Sequence, residues 1–305
     1  MGNANVRLIR TTGLPSAERK ALERAVHRGE LERVRPGVLV PRGALDGLWP
    51  EERHHVIVRA AVTRLRPTDV LSHESACAVL GLPFVGRWPS KVHVLDPTSS
   101  TTRVTAWLVR HGVERHAPRQ AVDRDGILTT TPARTAVDIA SARPLDQSLP
   151  VVDHVLRTLQ ATPEQLAAEV SRVIKGRTRA AAAVEMGSAA SGSPAESVCR
   201  VRFRQLGVPD PVQQHEFARP GEHTAIVDFW FPEHGVVVEV DGRAKYEDDA
   251  MLDGRTTADA HWHEKQREDF VRSFPEVRTV VRVTWADLMD PDRLRTKLRR
   301  AGIPC

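Results

Sequence analysis

Hydrophobic and polar positions recur at two periods along the chain. Over 17–28 the apolar residues Ala21, Leu22, Ala25 and Val26 return at helical spacing, with Lys20, Arg24 and Arg28 on other faces. A helix is expected there, capped by Ser16 and stopped by Gly29. The stretch LERVRPGVLVP over 31–41 reads as two short strands turning at Arg35-Pro36-Gly37. Helical patterns come next over 51–65, 72–80, 135–142, 151–159 and 163–174, with a strand over 91–95. Residues 175–193 begin as an Ala-rich helix and end in Ser-Ala-Ala-Ser-Gly-Ser, the composition of a domain boundary.

The last third changes period. A helix opens at Ser193-Pro194 and ends near Gly207, succeeded by strands over 212–218, 224–231 and 236–241, a helix carrying Glu264–Glu268, and a strand over 277–285. A hairpin symmetric about residues 233 and 234 sets Phe231 opposite Val236, Phe229 opposite Val238 and Val227 opposite Val240. That face is wholly apolar. The other face then sets Asp228 opposite Glu239, with Asp241 two residues along. Opposed side chains lie roughly 5 Å apart, and like charges there repel. A raised pKa, a neighbouring Lys or Arg, or a bound divalent metal must offset that repulsion.

Composition narrows the class. With 305 residues and 33.8 kDa the chain has room for two domains, and 41% hydrophobic with 27% charged residues excludes wholesale disorder. No apolar run approaches the roughly 18–20 residues of a membrane span, and the start MGNANVRLIR lacks a secretory apolar region. A cytoplasmic protein with no membrane partner is expected. Cys77, Cys199 and Cys305 lie far apart and form no CxxC pair, so neither a disulfide framework nor a cysteine zinc site is indicated. Residues 1–66 hold 13 Lys/Arg against 7 Asp/Glu, whereas 239–269 hold 10 acidic against 5 basic residues. A polyanion-binding start and a cation-binding cluster fit this asymmetry, as does ordinary solvated surface.

A helix leading into an Arg-rich hairpin is the pattern of a winged helix-turn-helix, the helix with Lys20, Arg24 and Arg28 entering a DNA groove while Arg33 and Arg35 meet phosphates. Through Glu32-Arg-Val-Arg-Pro-Gly-Val-Leu-Val40, Leu71-Ser-His-Glu-Ser-Ala76, Gly81-Leu-Pro83, Val92-His-Val94 and Thr131-Pro-Ala-Arg-Thr-Ala-Val-Asp138, residues 7–170 resemble the AbiEi-type antitoxins. The resemblance implies a winged-helix start over 1–66, a mostly helical accessory domain over 67–175, and kinship with transcriptional autoregulators. His73, Glu74, Arg134 and Asp138 read as functional residues or, with more support, as buried caps and ion pairs, since Ser72 and Thr135 sit where helices begin.

Beyond a linker over 176–193, residues 194–305 resemble the PD-(D/E)XK nucleases, in particular the very-short-patch-repair-like endonucleases with their E-x-D-G strand end, here Glu239-Val-Asp-Gly242. The resemblance implies a restriction-endonuclease-like α/β core of helix, three strands, helix and strand, making the whole an α+β chain of two or three units. It implies metal-dependent phosphodiester hydrolysis, with Asp228, Glu239 and Asp241 holding Mg²⁺ (or Mn²⁺) and Lys245 or Lys265 orienting the nucleophile. Asp241 stands where that superfamily places lysine, which sets activity in question more than fold. Glu196 either completes the site or closes a capping box with Ser193. His261 and His263, two apart on a helix, diverge, and 242–259 reads as a polar loop near the site. Two functions fit: a DNA endonuclease guided by its N-terminal domain, or a non-catalytic DNA-binding regulator with a degenerate nuclease fold. RNA as the polyanion and the oligomeric state stay open.

Overall fold

The computed structural model describes residues 6–113, 121–124, 126–241 and 257–305, with side chains from residue 265 onward in the last stretch. The chain divides into two compact units, Met1–Arg143 with Ala161–Val184, and Pro144–Gln160 with Glu185–Cys305.

In the first unit, β1 (Ile9–Arg10) precedes α1 (Ser16–His27), and β2 (Leu31–Arg35) and β3 (Val38–Pro41) form the expected hairpin. The strand order is β1-β3-β2. Among the described residues a single helix, α1, precedes the hairpin. Pro15, not Ser16, stands at the helix start, and no side chain caps it. Gly29 ends the run at φ +73°, a backbone that costs a residue without Cβ nothing. Next, α2 (Pro50–Ala61) joins two cores, Val56 packing with Val6 and Val40, and Val58 and Ala61 packing with Leu71, Val92 and Leu108.

The expected helical accessory domain is built on a six-stranded mixed sheet. Its strands are β4 (Val70–Leu71), β5 (Val92–Asp96), β6 (Arg103–Val104), β7 (Leu108–Gly112), β8 (Ala121–Arg124) and β9 (Ile127–Thr130), in the order β6-β7-β5-β4-β9-β8. Short strands of two to five residues give almost no periodicity to read. Between β4 and β5 lies α3 (His73–Leu80). The unit continues with α4 (Pro132–Ala142), then resumes after residue 160 with α6 (Pro163–Ser171) and α7 (Arg177–Glu185). Thr131 caps α4, accepting from the Arg134 N–H at 3.2 Å, whereas Thr135 is buried and bonds Thr130 at 2.7 Å. Arg134 pairs with Asp138 at 2.8 Å and Glu169 at 3.4 Å, tying α4 to α6 as the sequence suggested for Arg134 and Asp138.

The second unit begins with α5 (Leu145–Arg157), which the sequence pattern assigns to the accessory domain. Its apolar face packs on α8 (Pro194–Leu206), and Asp153 meets Arg200 at 2.8 Å while Asp146 meets Arg202 at 2.9 Å. α2 packs residues of 1–66 with the six-stranded sheet, and 144–160 pack against α8 in the second unit. The remaining elements run β10 (Val212–Ala218), β11 (Thr224–Phe231), β12 (Val236–Asp241), α9 (Thr257–Arg272), β13 (Thr279–Thr284), α10 (Trp285–Met289) and α11 (Pro291–Arg300). The strand order is β10-β11-β12-β13, antiparallel except for the parallel β12–β13 pair. Phe203 of α8 packs edge-on against Phe229 and Phe231, while Phe270 and Val271 of α9 pack with Trp230 and Val237. Because side chains alternate along a strand, α8 and α9 cover opposite faces.

Candidate functional site

The β11–β12 register is the expected one at Phe231↔Val236 and Phe229↔Val238, and the ladder ends there. The direct opposition of Asp228 and Glu239 is not made. Asp228 turns its Oδ2 onto the N–H of Val240 at 2.8 Å. Val227, expected on the face of Phe229, instead packs with Trp230 and Val237. The alternation breaks at Asp228, and its register neighbour on β10, Gln214, has φ +49°, left-handed backbone that a non-glycine residue rarely adopts.

The acidic groups consequently find separate partners. Glu239 Oε1 accepts from Arg267 Nη1 of α9 at 3.0 Å, and the same nitrogen donates to the Ile226 carbonyl at 2.9 Å. Asp241 lies 3.8 Å from Arg282, which also pairs with Glu268 at 2.7 Å. Glu196 Oε2 accepts from the Gly192 N–H at 2.8 Å and the Gln214 side-chain amide at 3.0 Å. Its own N–H is capped by Ser193, so the Ser193 cap is present, but the Glu196 carboxylate serves Gly192. Burial pushes the Glu196 carboxyl above its ordinary value, and the nearby charge of Asp228 adds to this. Burial likewise raises the Cys199 thiol, with Asp228 and Glu196 contributing.

Of the three ways to offset the carboxylate repulsion, arginine supplies the visible one. Oxygen donors suit Mg²⁺, but among the described residues no three carboxylates here bring oxygens within 4.8 Å of one another, and each already has a donor. As placed, Glu239 is held by Arg267, so a metal ion there requires that ion pair to open. Lys265 is exposed on α9; Lys245, the rest of 242–256 and the side chains of His261 and His263 lie outside the described residues, while 257–259, expected in a loop, open α9. Arg267 and Gln214 carry no local signal by which the sequence could have singled them out.

In the first unit Lys20, Arg24, Arg28 and Arg33 are exposed, and Arg28 forms a two-point ion pair with Glu30 at 2.6 and 3.0 Å. Arg35 departs from expectation. It is buried, donates to the Trp107 carbonyl at 3.2 Å, and lies 5.1 Å from the Trp107 ring centre. Burial, aided by the Arg64 charge, lowers its pKa to about 10. Arg35 is thus a core cation and does not reach phosphate. Arg7, Arg10 and Arg59 line a cleft of about 590 Å³ that the sequence did not single out.

A second cluster lies under the six-stranded sheet. His73, His93 and His111 each offer a ring nitrogen, all within 4.8 Å of one another. The sequence points to His73 as a buried cap residue and gives the other two no role. His93 and His111 stand 18 positions apart, and only the parallel pairing of β5 with β7 brings them together.

Residues 71–186, which hold this cluster, match the family described as the AbiEi antitoxin C-terminal domain. The AbiEi resemblance holds over this antitoxin-type region. It begins later than the sequence motifs suggested and runs beyond residue 170. No curated protein matches the chain. Among solved structures, the crystal structure of the RV2827C protein from Mycobacterium tuberculosis is 16% identical, with a TM-score of 0.38, over 70% of this chain and 84% of that one. That likeness is too loose to carry an argument. Among the described residues no helix is long and apolar enough to cross a membrane.

Proposed function

We propose that the protein is a DNA-binding regulator of the antitoxin type. The match of residues 71–186 to the AbiEi antitoxin domain carries this reading. The exposed cations Lys20, Arg24 and Arg33 on α1 and β2 support it, because exposed, unburied charge is what phosphate contact requires. Neutralising phosphates releases counterions, so binding weakens steeply with salt. Gel-shift titration against duplex from the protein's own promoter, at several salt concentrations, tests it. Replacing Lys20, Arg24 and Arg33 together by Ala is expected to flatten the log–log salt slope by about 2–3. An unchanged slope refutes the placing of the interface, and stronger binding to RNA of the same sequence refutes the choice of DNA.

One observation favours a second reading, metal-dependent phosphodiester hydrolysis by the second unit. Its order of helix, three strands, helix and strand carries Glu196 and Asp228 close enough to feel each other's charge. This reading requires Arg267 to release Glu239. Nicking of supercoiled plasmid with Mg²⁺ or Mn²⁺ by the wild type, lost in Asp228→Ala and Glu239→Ala, is its expected result. Equal cutting by all three preparations rejects it.

A further inference from the structure

We propose that His73, His93 and His111 together hold a late first-row divalent metal ion, zinc in the first instance, within the antitoxin-type region. His111 Nε2 and His93 Nδ1 lie 3.1 Å apart. Two nitrogens bound to one tetrahedral zinc at about 2.05 Å stand roughly 3.3 Å apart, so this pair already has ligand spacing. The third ring reaches the same place from another element. His73 opens α3 with φ +50°, a strained backbone for a non-glycine residue, and its Nδ1 lies 3.0 Å from Ser72 Oγ, which orients the ring. His73 stacks on His111 with ring centres 3.9 Å apart, so a shared ion requires one ring to turn about its side-chain bonds. All three nitrogens already lie inside 4.8 Å of one another.

One neighbouring group suits a cation, against the positive charges of Arg134, Arg143 and Lys91 that also face the rings. Glu74 is fully buried; its Oε1 pairs with Arg143, while its Oε2 accepts no hydrogen bond among the described residues and lies 3.6 Å from His93 Nδ1. A buried carboxylate beside His93 compensates charge that neutral rings cannot. Burial lowers the pKa of His93 and His111 to about 4 and drives that of His73 down as well, so the rings are neutral at pH 7, the form that binds metal. Imidazole donors select zinc, copper, nickel or iron over magnesium.

The test uses the untagged full chain, stripped with chelator and titrated with ZnCl₂ by calorimetry, with bound metal counted by mass spectrometry after dialysis. About one ion per chain is expected, and CoCl₂ should give the strong visible bands of a tetrahedral site. Loss of an outer-shell partner alone costs about 10–100-fold in affinity, so His93→Gln and His111→Gln should each cost at least as much. The exposed His27→Gln serves as control and should bind as wild type does. His111 is only half-buried, so its variant keeps the test open if His93→Gln fails to fold. No retained zinc in the wild type overturns the proposal. So does zinc retained equally by His111→Gln, or zinc lost in Asp228→Ala with Glu239→Ala while the histidine variants keep it.

Discussion

The two units each gather like side chains, three imidazoles in one and a set of carboxylates in the other, and treat them in opposite ways. The imidazoles sit together, with His111 hydrogen-bonded to His93 and stacked on His73. The carboxylates are drawn apart, Asp228 to a backbone N–H, Glu239 to Arg267 and Asp241 towards Arg282. Ionisation accounts for the difference. A buried imidazole sheds its proton and its charge, so three can share a pocket without repulsion. Carboxylates are charged at neutral pH, and the least costly arrangement gives each its own donor.

The sharpest way to break this comparison is acid. Burial holds His54, His93 and His111 at about 4, below their ordinary 6.5. The unfolded chain therefore binds more protons between those values, so stability is complete above about pH 6.5 and is lost as pH falls towards 4. Each ring contributes roughly 1–2 kcal/mol between pH 7 and 5, and the three together roughly 3–6 kcal/mol. In the second unit burial raises Glu196 and Asp153 above their ordinary values, a direction in which acid favours the folded form. Urea unfolding of the metal-stripped chain at pH 7 and 5, with limited proteolysis to locate the opening, should show the first unit failing first. Equal weakening of both units contradicts the contrast.

A smaller effect separates the carboxylates from one another. Glu196→Ala strands the Gly192 N–H and the Gln214 amide and is expected to cost about 2 kcal/mol, whereas Asp228→Ala strands only the Val240 N–H and costs about 1 kcal/mol. Chemical denaturation of the two variants measures the ranking, and the reverse order would show that Asp228 carries more of the local structure than its one bond indicates.

The smallest effect divides two arginines two residues apart. Arg35→Ala removes a buried cation stacked near Trp107 and should lower stability by roughly 1–2 kcal/mol with the DNA salt slope unchanged. Arg33→Ala, at an exposed position, should leave stability within about 0.5 kcal/mol and reduce the slope by about 1. Parallel melting and gel-shift series decide it.

Legibility followed locality. The hairpin register at Phe231↔Val236 and Phe229↔Val238 was readable because an apolar face punishes any slip. One step further the same logic failed at Asp228, where Gln214 on the neighbouring strand adopts left-handed backbone. The motif residues from Leu71 to Asp138 fall inside the matched antitoxin-type region, yet apart from the expected strand over 91–95, which is β5, the strands between them were too short to recognise. Arg33 and Arg35 looked alike in sequence, and only the contact of Arg35 with Trp107 distinguishes them.

By itself the sequence determined the α8-to-β12 succession, the local pairing of its hairpin and the placing of exposed cations on α1, because each depends on near neighbours and on periodicity. Tertiary structure alone decided that α5 packs on α8, that Arg267 takes Glu239, and that three histidines from α3, β5 and β7 converge. Strand order and helix packing join such residues across the chain, as His93 and His111, 18 apart, and Arg200 and Asp153, 47 apart, illustrate. Contacts of this kind are set by the burial of whole faces, a free energy that no short window of sequence contains.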